Sequence, residues 1–191
     1  MRYKRTLWIL FSLMMILPAC APMIVVGAGA GAVAANDSRS IGSFVDDHAI
    51  ELKAAAAMST DNSLRDHTHV SVTSINGIVL LTGEAETTEL RDQILKLVRD
   101  IQSVRRITNA IRIAPISSLG ARAQDSWLTT KVKSRLLATK NLASAHIKVL
   151  TDNASVYLMG LVTHDQGDIA AQSASNVGGI ERVVKLFEYT D

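Results

Sequence analysis

The stretch VSVTSINGIVLLTGEAET, Val70–Thr87, has a second copy in substance at Ile147–His164, IKVLTDNASVYLMGLVTH. Val70 and Val72 align with Ile147 and Val149, and Val79, Leu81 and Gly83 align with Val156, Leu158 and Gly160. In each copy two alternating apolar runs flank a polar turn, SING or TDNA, a pattern that predicts a β-hairpin. The repeat extends outward on both sides. Upstream, Ile50-x-x-Lys53 matches Leu128-x-x-Lys131. Downstream, VRRITNAIRI matches IERVVKLFEY, so that Val104, Ile107, Ile111 and Ile113 correspond to Ile180, Val183, Phe187 and Tyr189. Two homologous modules of roughly 65–70 residues are the simplest account.

Each module is predicted to be α-β-β-α-β, which makes the fold class α+β. A helix comes first (Asp47 to Met58; Ser126 to Thr139), then the hairpin, then a second helix and a closing strand. Leu90, Ile94, Leu97, Val98 and Ile101 recur at helical spacing in the first copy, with a weaker stripe of Ile169, Ala170, Ser173 and Val177 in the second. Gly83 and Gly160 are expected to end their strands, where a positive φ or a close backbone approach requires glycine. The modules are bounded at 45–114 and 125–191. The small polar residues of 115–124, opened by Pro115, form a linker.

Residues 1–19 have the parts of a secretory signal: basic Arg2, Lys4 and Arg5, then an apolar run from Leu7 to Leu17. The run ends in Leu17-Pro18-Ala19-Cys20, which resembles the lipobox of bacterial lipoproteins. That resemblance implies a diacylglyceryl group on the Cys20 thiol, cleavage before it and acylation of the new amino group, palmitate-type anchoring. Ala21 in place of aspartate implies transport to the outer membrane. An uncleaved membrane helix is the alternative, and Pro18 and Pro22 would interrupt it. Residues 20–44 are then a lipidated cysteine and a small-residue tether. Its glycine run, Gly27-x-Gly29-x-x-Ala32, mimics a dinucleotide fingerprint, but a cleavage site precedes it and the polar NDSRSIGS follows it where a strand and a helix are needed. No cofactor is expected.

The whole pattern resembles the dual BON-domain (bacterial OsmY and nodulation) outer-membrane lipoproteins. The specific parts are the Ser126–Leu137 segment and Tyr157–Thr163, YLMGLVT. The resemblance implies a role in outer-membrane integrity, concentration at the division site, and binding of anionic phospholipid through the second module.

That implication meets a puzzle in DSWLTTKVKSRLL, Asp125–Leu137. With Trp127 at zero and about 100° per residue, Leu128, Val132 and Leu136 fall between roughly 100° and 180°. Trp127, Thr130, Ser134 and Leu137 lie nearly opposite, flanked by Lys131 and Arg135 on one edge and Lys133 on the other. One stripe faces a core, and the other suits a membrane interface. Trp127, Thr130, Lys131, Lys133, Ser134, Arg135 and Leu137 are therefore the expected lipid-binding residues, with phosphatidylglycerol or cardiolipin as ligands. The first module supplies an internal control, since AIELKAAAAMS has alanines and Lys53 there. Charge leans the same way: 37–114 carries nine basic against eleven acidic residues, and 121–191 eight against seven. Packing of Trp127 against the first module is the alternative.

Other chemistry finds little support. Without Arg2, Lys4 and Arg5, 17 basic residues face 18 acidic ones, so no global field favours nucleic acid. His67-x-His69 lacks the cysteine or carboxylate set of a metal site. Asp46-Asp47-His48 suits a helix N-terminus, and His146 and His164 are expected to be isolated and solvated. With no nucleophile elbow, phosphate loop or acid/base pair, no enzyme is expected. Two classes of function remain: a lipid-binding envelope lipoprotein, or an adaptor whose strand edges dock an envelope protein of outer-membrane assembly or cell-wall remodelling.

Overall fold

Both hairpins turn on residues with positive φ, Asn76-Gly77 in one copy and Asn153-Ala154 in the other, as a two-residue turn between twisted strands demands. The computed structural model describes residues 41–191; the signal segment, Cys20 and most of the tether lie outside the described residues. The first module comprises α1 (Ile41–Thr60), α2 (Asn62–His67), β1 (Thr68–Ile75), β2 (Ile78–Ala85), α3 (Thr88–Arg99) and β3 (Arg106–Ile113). The second comprises α4 (Leu119–Leu137), a single 3-10 turn at Ser144–His146, β4 (Ile147–Asp152), β5 (Ser155–Val162), α5 (His164–Ser175) and β6 (Arg182–Tyr189). The two α-β-β-α-β units are thus present, with α2 as an addition to the first.

In each sheet the middle strand pairs antiparallel with its hairpin partner and parallel with the strand after the second helix, in the orders β1-β2-β3 and β4-β5-β6. Gly83 opposes Val70 and Gly160 opposes Ile147. Their φ values are +114° and +150°, and a Cβ would fall 1.9 Å from the carbonyl oxygen of His69 and 2.1 Å from that of His146. Both reasons for glycine hold, but neither glycine ends its strand, which runs two residues further.

Several expectations are corrected. Ile41–Phe44, assigned to the tether, form the first turn of α1. Asp47 therefore does not start a helix. It is buried mid-helix and accepts hydrogen bonds from Ser74 Oγ (2.6 Å), Asn76 N (2.8 Å) and Gly77 N (2.8 Å), clamping the hairpin turn to α1. Its repeat equivalent, Asp125, accepts from Asn153 N (2.9 Å) and Ala154 N (3.0 Å). That clamp steadies a non-glycine residue in the left-handed region, which costs about 1–2 kcal/mol. The expected linker is largely helix, because the Ser118 hydroxyl accepts from Ala121 N and starts α4 at Leu119. Val177 lies beyond α5, whose buried residues are Gly167, Ala170 and Ala174. The rings of Phe187 and Tyr189 fill the space above Gly167.

Each module has its own core between helices and sheet, with Ile50, Leu81, Ile94 and Val98 in the first and Val132, Leu136, Leu158 and Phe187 in the second. A third core joins them. Ile75, Ile78 and Leu80 pack with Tyr157 and Met159, sheet face against sheet face. All eight residues of β2 and seven of β5 are consequently buried. Polar pairs surround that apolar centre: Glu51 with Lys148 (3.1 Å), Arg105 with Glu188 (3.5 Å), Asn76 with Glu188 (2.9 Å), and Arg122 with His69 (3.0 Å). Arg112 joins buried Glu84 of its own sheet to Asp152 of the other module, the latter at 3.5 Å, and Ser117 Oγ donates to Glu84 at 3.3 Å.

Two outcomes follow from this junction. Arg112→Met leaves the Glu84 carboxylate buried without its counter-charge and is expected to destabilise by about 3–5 kcal/mol in urea unfolding, most of which the double variant E84Q/R112M recovers. Burial raises the pKa of Asp152 from its ordinary value, opposed by Arg112 and aided by Glu84 and Asp125. The native state thus binds this proton more tightly than the unfolded chain, and stability is lost as pH rises through that window. Asp152→Asn should therefore be more stable than the parent at pH ~7, the gain vanishing by pH ~3, below the unfolded carboxylate value.

Candidate membrane-facing helix

From Leu119 to Leu137, α4 spans about 28 Å. Leu128, Val132 and Leu136 are buried, and Thr129 Oγ1 donates to Thr151 Oγ1 on β4 (2.9 Å). These contacts fix the rotation of the helix about its axis. The opposite side is left to solvent, where Trp127 is 59% and Leu137 73% exposed. An indole packed into the module junction is thus excluded. Thr130 and Ser134 are exposed between them. Thr130 Oγ1 already donates to Ser126 O (3.1 Å), so its hydroxyl is satisfied within the helix.

The cations divide into two kinds. Lys133 and Arg135 are exposed, and no ion pair holds either among the described residues. Lys131 is half-buried, with its Nζ 4.2 Å from the centroid of the Trp127 ring and donating to Gly178 O at 2.7 Å. One apolar residue escaped the sequence reading. Leu119, 78% exposed, shares the outer face with Trp127 and Leu137. It was hidden in the supposed linker, and Ser118 as a helix cap was the signal that could have revealed it.

The equivalent face of α1 carries Ala49, Ala55 and Ser59 where α4 has Trp127, Lys133 and Leu137. It is not bare, since Val45 and Leu52 are 59% and 68% exposed. It lacks the indole, and of the flanking cations it keeps only Lys53, the equivalent of Lys131. Three of the histidines have side-chain partners of their own. His67 Nδ1 lies 2.8 Å from Glu86, and His69 faces Arg122. His164 is not isolated. Its ring stacks on Tyr189 at 3.8 Å and pairs with Asp191 at 2.8 Å, an interaction that lowers the Asp191 pKa. Among the described residues no helix is long and apolar enough to cross a membrane.

Twin α-β-β-α-β units joined through their sheets define the class of the protein, and an outward face with an indole beside Lys133 and Arg135 is found in the second unit alone. The BON domain model matches residues 46–115 and again 124–191, and the chain belongs to the BON-domain family. It is 32% identical over 187 residues to the outer membrane lipoprotein DolP of Haemophilus influenzae, covering 98% of this chain and 97% of that one. It is 37% identical to the 21 kDa hemolysin of Actinobacillus pleuropneumoniae (80% and 79% covered) and 29% identical to the osmotically-inducible protein Y of Escherichia coli (81% and 78% covered). Similarity to DolP along nearly the whole of both chains assigns this protein to the outer membrane.

Trp127 is the only tryptophan after residue 8, so a soluble form of the folded body reports on it alone. Its emission should match that of a water-exposed indole and be quenched by iodide; a blue-shifted, unquenched band would mean that the ring is covered.

Proposed function

We propose that this protein is a non-enzymatic lipoprotein, held by acylated Cys20 on the periplasmic face of the outer membrane, that binds anionic phospholipid through α4 and supports envelope integrity at the division site. Phosphatidylglycerol and cardiolipin are the ligands of this chemistry. The supporting observation is the solvent-facing set of Leu119, Trp127 and Leu137 beside Lys133 and Arg135, on a helix already anchored by its other side. Such a helix lies in the interfacial plane, with apolar side chains below the head groups and cations among the phosphates.

The magnitudes fit a reversible contact. Two cations near an anionic surface contribute about 1 kcal/mol each. Partial insertion of the indole and leucines adds about 2–4 kcal/mol. The total corresponds to dissociation constants from about millimolar to tens of micromolar. Acylation at Cys20 would hold the protein far more firmly. On this account α4 serves for orientation and lipid preference, and attachment rests on the acyl chains.

An adaptor function for envelope assembly or cell-wall remodelling is the second reading, favoured by exposed Val45 and Leu52 on α1. Titrating anionic micelles into labelled soluble protein separates the two. Shifts confined to α4, abolished by Trp127→Glu or by K133E/R135E, support lipid binding. Silence at α4, with a protein crosslinked at Val45 or Leu52, supports the adaptor.

A further inference from the structure

The lysine that sits nearest to Trp127 is the cation least available to a lipid. Lys131 is four residues along α4 from Trp127, and its ammonium has two fixed neighbours, the indole face at 4.2 Å and the Gly178 carbonyl at 2.7 Å. Gly178 belongs to the loop between α5 and β6, and that loop is pressed onto α4. Gly179, at φ +98°, comes so close that a Cβ there would sit 3.0 Å from Leu128 Cδ2. The carbonyl is thus positioned by packing against a buried core leucine, and the ammonium in turn is positioned by the carbonyl. To reach a phosphate, Lys131 would have to give up both a charge-assisted hydrogen bond and a cation–π contact. Lys133 and Arg135 surrender nothing of the kind, being exposed.

We infer that Lys131 is a positioning residue, which holds the Trp127 indole in one orientation for insertion and leaves phosphate recognition to Lys133 and Arg135. The inference rests on the proposal that α4 binds anionic bilayers, and it gives the three cations two distinct roles. An indole already held loses less side-chain freedom when it enters the bilayer. Replacing Lys131 therefore weakens the apolar part of binding, which salt does not screen. Replacing Lys133 weakens the Coulombic part, which is screened within about 3 Å at 1 M salt.

The test uses the Val33–Asp191 unit, which carries all three cores, and vesicles of phosphatidylcholine with or without phosphatidylglycerol, at low and at molar salt. Lys131→Met is expected to bind about three- to tenfold more weakly than the parent at both salt levels, with faster indole motion in time-resolved fluorescence anisotropy of the free protein. Lys131→Arg, which keeps a cation over the ring, should retain most of the affinity and the slow motion. Lys133→Gln should lose affinity at low salt and converge with the parent at molar salt. The inference is overturned if Lys131→Met also converges with the parent at molar salt, or if its indole moves as in the parent, circular dichroism confirming the fold throughout. Failure of the parent to bind anionic vesicles sinks the proposed function instead, and the anisotropy of the free proteins still decides whether Lys131 holds the ring.

Discussion

Burial of one sheet face against the other is the constraint on which the rest depends. A three-stranded sheet with helices on one side leaves its second side bare, and here that side carries Ile78 and Leu80 in one module and Tyr157 and Met159 in the other. Neither set can face water at acceptable cost, since each such side chain is worth about 1.5–3 kcal/mol when buried. Stacking the sheets satisfies both and sends the helices outward. The outer face of α4 is then free of structural duty, which is why an indole and unpaired cations can stand there without loss to the fold.

The junction also distinguishes its partners. By the repeat, Arg112 is equivalent to Glu188 and Arg105 to Glu181. In the observed pairing Glu188 meets Arg105, and Arg112 meets Asp152. The same geometry built from two first modules would bring Arg112 toward Arg105, and from two second modules Glu188 toward Glu181. Like charges in such positions disfavour self-pairing, so the divergence of the two copies specifies the unlike pair. Ancestrally identical surfaces have become complementary at their rims while keeping an apolar middle.

How much of this was legible in the sequence follows from how local each cause is. The tandem units were legible because turn residues and two glycines recur at matched places, and the glycines answer to a carbonyl on the adjacent strand. The outward face of Trp127 was legible because helical spacing alone puts it opposite Leu128, Val132 and Leu136. The role of Asp47 was not, since an acid beside another acid suits a helix start, and only the distant turn at Asn76-Gly77 gives it a buried task. The start of α4 was obscured by Gly120, a poor helix former, just inside the capping serine. The apolar runs of β2 and β5 predict a hairpin but not its complete burial, because nothing local says that the second face is covered by the other copy. The commitment of Lys131 to Gly178 lay beyond reach, depending on a carbonyl 47 residues away.

Under the proposed function, a weak helix beside a strong anchor is a sensible division of labour on physical grounds. A link of 20 residues, the number between Cys20 and Ile41, spans roughly 25 Å as a coil, and a surface held at that distance is met at an effective concentration of the order of millimolar. A helix with a dissociation constant between about millimolar and tens of micromolar is then docked from about half to nearly all of the time. In that range occupancy responds to modest changes in the density of anionic head groups, whereas a much tighter helix would be docked everywhere and a much weaker one nowhere. Free in solution at ordinary micromolar concentrations, the same helix would scarcely bind. On this reasoning the marginal strength of α4 is what would allow a permanently attached protein to report on the composition of the lipid beneath it.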